Sequence, residues 1–228
     1  MSVELSQESR LLRIDTSTGK DFVLRRVEAV EAISRPYVVQ AEVLCTDGEI
    51  TAADVIGQTA AVTITRDEAL EPRRFHGVIN TFRKIGKFGT SHTAYGLEIV
   101  PTFWNLTRKS NARVFQNLSV PSIVKKLCGE ADAAVPVFMS APDTPRVYCM
   151  QYNETDFDFC QRLMDEIGCG YYFLHGENEH TMLVASSSAD YLPISSGPYK
   201  VNSSATAWDS LTGFTMRTRQ QPGAVRTL

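Results

Sequence analysis

The sequence lacks the long apolar segments that membrane insertion or the general secretory route requires. It contains no stretch of about 18 consecutive apolar residues, so a transmembrane helix is excluded. The first ten residues include acidic side chains and no apolar run, so we expect no secretory signal peptide. If the protein leaves the cell, it does so by another route.

Other shortages exclude further classes of protein. The 14 glycines and 10 prolines are too few for a collagen-like or low-complexity chain. The five cysteines are odd in number and contain no C-x-x-C pair, so we expect reduced, mostly buried thiols rather than a disulfide framework. The formal net charge of −3 gives no overall attraction to nucleic acid or an anionic membrane, and we expect neither as a partner, although a local basic patch is compatible with this charge.

Period-two alternation of apolar residues predicts β-strands over the first hundred residues. Within residues 35–45, Tyr37, Val39 and Val43 are expected on one face and Gln40 on the other. Short strands without long helices between them indicate an antiparallel barrel or sandwich. Further strands are predicted over residues 21–33, 59–65, 73–85 and 91–101, with a helical turn at 51–57 and a hairpin loop at 86–90.

The pattern changes near residue 104 to helices mixed with strands. A capped amphipathic helix is predicted over residues 119–129, where Gly129 ends it, and a second over residues 155–167, with Gly168 as its stop. Phe159 and Leu163 share the apolar face of the second helix, so both are predicted to be buried. Strands are predicted over residues 171–175, 181–185 and 208–218, with connecting loops at 186–188 and 202–207.

Together these patterns predict a mainly β chain with an α+β portion. Residues 1–104 are expected to form a β-barrel domain. Residues 105–186 are expected to form an α+β domain with two helices, and residues 187–228 a linker with strands that return to the barrel.

The densest polar cluster runs from His175 to His180 and includes Glu177 and Glu179. Two histidines and two glutamates are ligand types that zinc accepts, but their spacing matches no known zinc motif. The cluster also falls on a predicted hairpin tip, where polar residues are expected because water solvates them. We therefore predict that no metal is bound there.

Other candidates for chemistry also have structural explanations. Asp156 and Asp158 lie in the first turn of a predicted helix, where the helix dipole favours negative charge. Asp165 and Glu166 are expected on a solvated helix face, and His76 within a strand has no accompanying nucleophile motif. Residues 86–90 lack the spacing of a phosphate-binding loop. We therefore predict no catalytic, cofactor-binding or metal-binding residue, and no enzyme.

Three segments resemble one protein family. They are RFHGVI at residues 74–79, PTFWNLT at residues 101–107 with its continuation through residues 113–124, and QYNETDFDF at residues 151–159 with its continuation to residue 181. In this order they resemble the N-terminal region of the VgrG family, the valine-glycine repeat spike proteins of bacterial type VI secretion. That region is similar to the hub proteins of contractile phage-tail baseplates.

The resemblance implies a structural role. Family members have two barrel-like tube domains and a helix-containing α+β insertion. They form homotrimers whose pseudo-six-fold ring can match the hexameric tube of haemolysin-coregulated protein. The implied partners are that tube, baseplate components, and effectors or their adaptors. The implied route is assembly in the bacterial cytoplasm followed by type VI export. The alternatives are a phage or prophage baseplate hub and, from another class, a cell-wall hydrolase that uses the carboxylates or His175 and His180.

The chain departs from the family in its C-terminal part. Valine-glycine repeats and a region matching the β-helix spike are absent from the 228 residues. In the family, much of the trimer contact is expected from that β-helix. We therefore expect residues 1–228 alone to be monomeric or weakly self-associating. Residues 202–207 and 219–228 are expected to be the most mobile parts.

Overall fold

A computed structural model describes most of the chain, namely residues 6–7, 10–65, 71–130, 137–192, 200–201, 210–211 and 215–216. Strands contain about half of these residues and helices far fewer. The predicted fold class, mainly β with an α+β portion, is confirmed. The described residues contain no helix that is long and apolar enough to cross a membrane. The chain divides into two compact units, residues 1–190 and residues 191–228.

The first unit is built around a six-stranded sheet in which all neighbouring strands are antiparallel. The spatial order of the strands is β1-β4-β5-β6-β3-β2, and the sheet curls into a half-barrel. The strands are β1 (Leu12–Thr16), β2 (Val23–Ala32), β3 (Arg35–Cys45), β4 (Thr59–Ile64), β5 (Arg73–Phe88) and β6 (His92–Val100).

The alternation predicted for β3 is confirmed. Tyr37, Val39 and Val43 are buried on the inner face, whereas Gln40 is exposed on the outer face. The predicted helical turn is also present as α1 (Ala52–Val55), because the Asp54 carboxylate accepts a hydrogen bond of 2.8 Å from the Thr51 N–H and caps its first turn.

The hairpin between β5 and β6 is longer than predicted. The sequence suggested a loop at residues 86–90, but β5 continues to Phe88 and its Gly86 pairs with Ala94. Gly86 has φ 148°, which a residue without Cβ accommodates, and the register shifts between Lys84 and Gly86. This irregularity allows β5 to continue beyond Gly86, so the turn follows the end of β5.

The α+β portion follows β6 through a 3₁₀ segment, Thr102–Arg108. Strands β7 and β9 form an antiparallel pair, and β10 and β11 form a hairpin with β8 added in parallel to β11. The elements are β7 (Ser110–Phe115), α2 (Val120–Gly129), β8 (Val137–Met139), β9 (Cys149–Thr155), α3 (Asp156–Glu166), β10 (Gly170–His175) and β11 (His180–Ala185).

Both predicted helices are present with the predicted caps. The Ser119 hydroxyl accepts from the Ser122 N–H at 3.3 Å, and the Thr155 hydroxyl accepts from the Asp158 N–H at 3.0 Å. α2 ends at Gly129, as predicted, and Gly168 follows the end of α3 with φ 70°. The caps and ends that the sequence predicted for these two helices are therefore confirmed.

The predicted burial of Phe159 and Leu163 is confirmed, since both are 0% exposed. They belong to a single hydrophobic core that extends from Ile14 in the half-barrel to Val184 in β11. The boundary predicted at residue 104 therefore lies between two portions that share one core, and the three-part division stays a prediction.

In the second unit the structure describes two short strands, β12 (Lys200–Val201) and β13 (Ser210–Leu211), which pair in parallel. They include only part of the strand predicted over residues 208–218. Residues 202–209, 212–214 and 217–228 lie outside the described part of the chain, so the expectations for residues 202–207 and 219–228 stay predictions.

Gly77 in β5 offers a test of packing inside the half-barrel. A Cβ at this position would lie 2.4 Å from the Val100 carbonyl oxygen and 3.0 Å from the Tyr37 hydroxyl. Since backbone on one side cannot move aside cheaply, Gly77→Ala is expected to lower the free energy of unfolding by about 1–3 kcal/mol or more. Urea denaturation measures this loss.

The matched control is Gly129→Ala in α2. A Cβ there would meet nothing within 4 Å, and alanine favours a helix. We expect this variant to be as stable as the parent or slightly more stable. Equal effects of the two substitutions would contradict the close approach at Gly77.

Candidate functional site

Three histidines from two separate segments of the sequence lie together in the structure. His76 comes from β5, His175 from β10 and His180 from β11. The side chain of His175 is 1% exposed and His180 is 4% exposed. The expectation that both histidines lie on a solvated hairpin tip was therefore wrong. The two residues pair at the base of the hairpin, and only the turn beyond them, with Glu177 and Glu179, is exposed.

Backbone N–H groups determine which ring nitrogens of this cluster carry protons. The Thr102 N–H donates to His180 Nε2 at 3.1 Å, and the His76 N–H donates to His175 Nδ1 at 3.1 Å. Because those nitrogens accept, neutral His180 carries its proton on Nδ1. That proton points to His76 Nδ1, which lies 3.1 Å away. Each of these hydrogen bonds has one donor and one acceptor when all three rings are neutral.

Aromatic rings surround the three histidines. The Tyr37 ring lies edge-on to His175 at 4.7 Å and to His180 at 6.0 Å, and Phe75 lies 5.3 Å from His175. The Tyr37 hydroxyl donates to the His76 carbonyl. Burial in these surroundings, reinforced by the neighbouring histidines, lowers the pKa of His180 to about 3. Burial also lowers the pKa of His76, with a further contribution from His175.

One carboxylate lies at the rim of the cluster. Glu31 Oε1 in β2 is 3.3 Å from His175 Nε2, which carries the proton in the neutral tautomer. Arg73 also pairs with Glu31. Although partial burial raises the pKa of Glu31, the hydrogen bond from His175 and the charge of Arg73 outweigh it, and the pKa is lowered overall. Glu31 is therefore an ionised hydrogen-bond acceptor.

The geometry of the cluster suits structure better than catalysis. The Thr102 hydroxyl lies 3.1 Å from His180 Nε2, the separation of a nucleophile and its base. Thr102 and His180 are only 6% and 4% exposed, however, so a substrate has no open approach to them. Within the described residues, no group of three or more histidine, cysteine, aspartate or glutamate side chains could hold a metal ion.

A second buried polar cluster surrounds Asp156. Its Oδ1 accepts from Asn111 Nδ2 at 2.9 Å, from Arg113 Nη2 at 2.5 Å and from Gln151 Nε2 at 2.8 Å. Asp156 is 5% exposed. The helix dipole was therefore an incomplete explanation of this carboxylate, since its ion pair and hydrogen bonds join β7, β9 and α3. We call these four side chains the Asp156 network.

The other carboxylates differ from Asp156 in their exposure. Asp158 is exposed, and its carboxylate accepts from the Thr155 hydroxyl at 2.6 Å. Asp165 is exposed, as predicted, and accepts from Gln161 at 3.0 Å. Glu166 is paired with Arg146 at 2.6 Å and Arg162 at 2.9 Å, so it is an ion-pair partner rather than a solely solvated group.

The outer face of the β7–β9 pair is apolar and uncovered. Val114 is 51% exposed, and Tyr148, Met150 and Tyr152 are 56%, 45% and 67% exposed. Arg113 and Gln151 lie next to Val114 and Met150 along the two strands and pair with each other, and they belong to the Asp156 network on the opposite face. Exposed apolar side chains that cluster in this way are typical of a contact surface.

The five cysteines are buried and unpaired, as predicted. Burial raises the pKa of the Cys128 thiol to about 12, and it also raises that of Cys45, Cys160 and Cys169. Because the thiolate is the reactive form, these thiols are poor nucleophiles.

Comparison with known sequences finds one family over most of the chain. Residues 30–227 match the family described as phage tail baseplate hub (GPD). The chain is 30% identical over 187 residues to the type VI secretion system spike protein VgrG1b of Pseudomonas aeruginosa, covering 80% of this chain and 25% of that protein. It is 32% identical over 187 residues to VgrG3 of Vibrio cholerae, covering 78% of this chain and 18% of that protein. The chain thus spans about a quarter or less of these relatives.

Solved structures share the fold. The E. coli c3393 protein, described as a component of the type VI secretion system with similarity to the T4 tail proteins gp27 and gp5, superposes with a TM-score of 0.67. It is 22% identical, and the match covers 79% of this chain and 51% of that one. The 43 kDa tail protein of prophage MuSo2 from Shewanella oneidensis has a TM-score of 0.51 at 13% identity, covering 76% of this chain and 52% of that one.

Proposed function

The chain belongs to the phage tail baseplate hub (GPD) family, and from this premise we propose that it forms the hub end of a contractile injection machine. In this role it seats a spike on a tube and is thrust outward when the sheath contracts. The observation that carries the proposal is the alignment of four-fifths of the chain with type VI spike proteins, together with the half-barrel that this alignment includes.

A type VI origin is favoured over a phage origin. The spike proteins VgrG1b and VgrG3 are 30% and 32% identical to the chain. The prophage tail protein is only 13% identical and supports the fold alone. We therefore propose a spike base that assembles in the bacterial cytoplasm and is exported through the type VI system.

The assembly we propose for a full-length spike protein that contains this region is a trimer. Two tube barrels in each of three chains would present six similar units to the hexameric tube of haemolysin-coregulated protein, so that three-fold and six-fold rings match. Residues 1–104 would supply the first part of a tube barrel, residues 105–186 its α+β insertion, and residues 187–228 the linker and returning strands. Baseplate components and effectors or their adaptors are the further partners.

We propose that the chain itself is not an enzyme. The two buried polar clusters support this view, because their acceptors are occupied by groups of the protein. His180 accepts from Thr102, and Asp156 accepts from Asn111, Arg113 and Gln151. A catalytic carboxylate or imidazole needs a free acceptor position facing its substrate.

The test is deletion of the natural gene in the bacterium that encodes it. We expect the tube protein to disappear from the culture medium, and the natural gene to restore it. A gene with Asp158→Asn should restore export equally well, because this exposed carboxylate accepts only from the Thr155 hydroxyl among the contacts described and performs no chemistry in our proposal.

Three outcomes would contradict the proposal. Continued export of the tube protein without the gene would exclude a spike role. Loss of infectious phage particles, with export unaffected, would support a prophage hub. Cleavage of peptidoglycan by the purified protein, lost in Asp158→Asn, would support a cell-wall hydrolase.

A further inference from the structure

The three-histidine cluster lies where the β10–β11 hairpin meets the half-barrel. His175 and His180 belong to the hairpin, His76 belongs to the sheet, and Thr102 begins the segment that leaves the sheet. Other polar contacts between the hairpin and the half-barrel are the Ser34 N–H, which donates to the Tyr171 carbonyl at 2.8 Å, and the ion pair of Arg74 with Glu177 at 3.3 Å. The histidine contacts differ from these because they depend on unprotonated ring nitrogens.

Each histidine ring has one nitrogen that must stay unprotonated. Backbone N–H groups cannot reverse their direction, and they donate to His180 Nε2 from Thr102 and to His175 Nδ1 from His76, both at 3.1 Å. His76 Nδ1 must accept from His180 Nδ1, also at 3.1 Å. A proton added to any of the three accepting nitrogens would place two donors face to face and remove one of these hydrogen bonds.

We propose that the three-histidine cluster is a proton-sensitive latch, which holds the β10–β11 hairpin on the half-barrel at neutral pH and releases it in acid. The closed state requires that His76 Nδ1 and His180 Nε2 carry no proton, whereas an open state would expose these two rings to water and let them bind protons. Acid therefore favours opening by mass action. The latch is independent of the role proposed above, because it follows from this chain's own hydrogen bonds.

Some of the charges around the latch favour protonation of the histidines, and others oppose it. Glu31 lies 3.3 Å from His175 Nε2, and the charge of Glu179 on the turn favours protonation of His76. Opposing them, Arg73 pairs with Glu31, and Arg74 pairs with Glu177 at 3.3 Å. Tyr37, whose pKa burial raises, stays neutral and contributes no charge.

The direction of the pH effect follows from the lowered pKa values of His76 and His180. An exposed histidine has a pKa of about 6.5. The stability that the neutral rings provide is complete above that pH and declines as the pH falls toward the values in the closed state, about 3 for His180. The latch is therefore expected to loosen between about pH 6.5 and pH 4.

Hydrogen exchange measured by NMR on the 228-residue chain tests the latch directly. The Thr102 and His76 amides, which donate to the imidazoles, report opening. After correction for intrinsic exchange rates, we expect their protection factors to fall about tenfold per pH unit for each proton taken up below pH 6. The Ile99 amide in the central strand β6 is the reference and should lose less protection.

Matched variants separate the latch from general acid instability. His180→Gln can still accept from the Thr102 N–H but does not titrate, so the pH dependence at Thr102 should become shallower. His76→Asn is the second variant in case the first fails to fold. His92→Gln removes the remaining histidine, which lies at the start of β6 outside the cluster, and should leave the pH dependence unchanged.

Specific results would overturn the latch. Protection at Thr102 and His76 could be independent of pH, or it could fall only as much as protection at Ile99. The pH dependence of protection at these amides could also persist unchanged in both His180→Gln and His76→Asn, or disappear in His92→Gln. Any of these results would show that the cluster does not control the junction.

Discussion

Asp156→Ala is expected to lower the free energy of unfolding by about 3–5 kcal/mol, the largest effect of any substitution considered for this protein. Asp156 is 5% exposed, and its Oδ1 accepts hydrogen bonds from three side chains. Removing the carboxylate would leave the buried Gln151 amide and the partly exposed Arg113 guanidinium without their shared acceptor, although Arg113 keeps its ion pair with Glu130. Chemical denaturation of the parent and the variant measures the loss.

Asp158→Ala is the matched control, since it removes a second aspartate from the first turn of the same helix. Asp158 is exposed, and its side chain interacts with the Thr155 hydroxyl at 2.6 Å. We expect this change to cost about 1 kcal/mol or less. If both alanine variants lost the same stability, the Asp156 network would be no more important than a surface cap.

Leu163→Ala is expected to cost about 2–5 kcal/mol because it opens a cavity in the shared core. Leu163 is 0% exposed on the inner face of α3, one turn from Phe159. Phe159 stacks on Phe115 of β7 with 5.5 Å between ring centroids, so the surrounding groups are held by rings that cannot easily fill the space. Thermal or urea unfolding gives the difference.

The control for this cavity is Leu11→Ala, the same change at a site that is 49% exposed. Its cost should lie within about 0.5 kcal/mol of zero, as for most surface substitutions. A similar cost at both sites would mean that α3 does not pack against the core as described.

The motif at residues 151–159 is explained by these interactions. Gln151 and Asp156 belong to the buried network, Thr155 caps α3, and Phe159 enters the core. Asn153 has φ 49°, a conformation that asparagine tolerates better than most residues. Glu154 pairs with Arg162 at 2.6 Å. The segment by which the family is recognised from sequence is therefore one that builds the α+β portion, and this is consistent with a structural protein.

The features that depend on residues close together in the chain could be predicted from the sequence. Period-two alternation located β3 with its correct buried face, and the Thr155 cap located α3 with Phe159 and Leu163 inside. These signals are local, because a strand repeats every two residues and a helix about every 3.6. The family likeness could be read from the sequence for the same reason, since its motifs are short and contiguous.

The polar residues that contact one another could be identified only in the folded chain. His76 and His180 are 104 positions apart in the chain, and Arg113 and Asp156 are 43 apart. No local periodicity encodes such pairs, so His175 and His180 looked like a solvated turn and Asp156 like a dipole partner. Whether a polar side chain is exposed or buried depends on which element packs over it. That packing is a property of the folded chain, because the sheet must curl and the hairpin must dock before these side chains come within hydrogen-bonding distance.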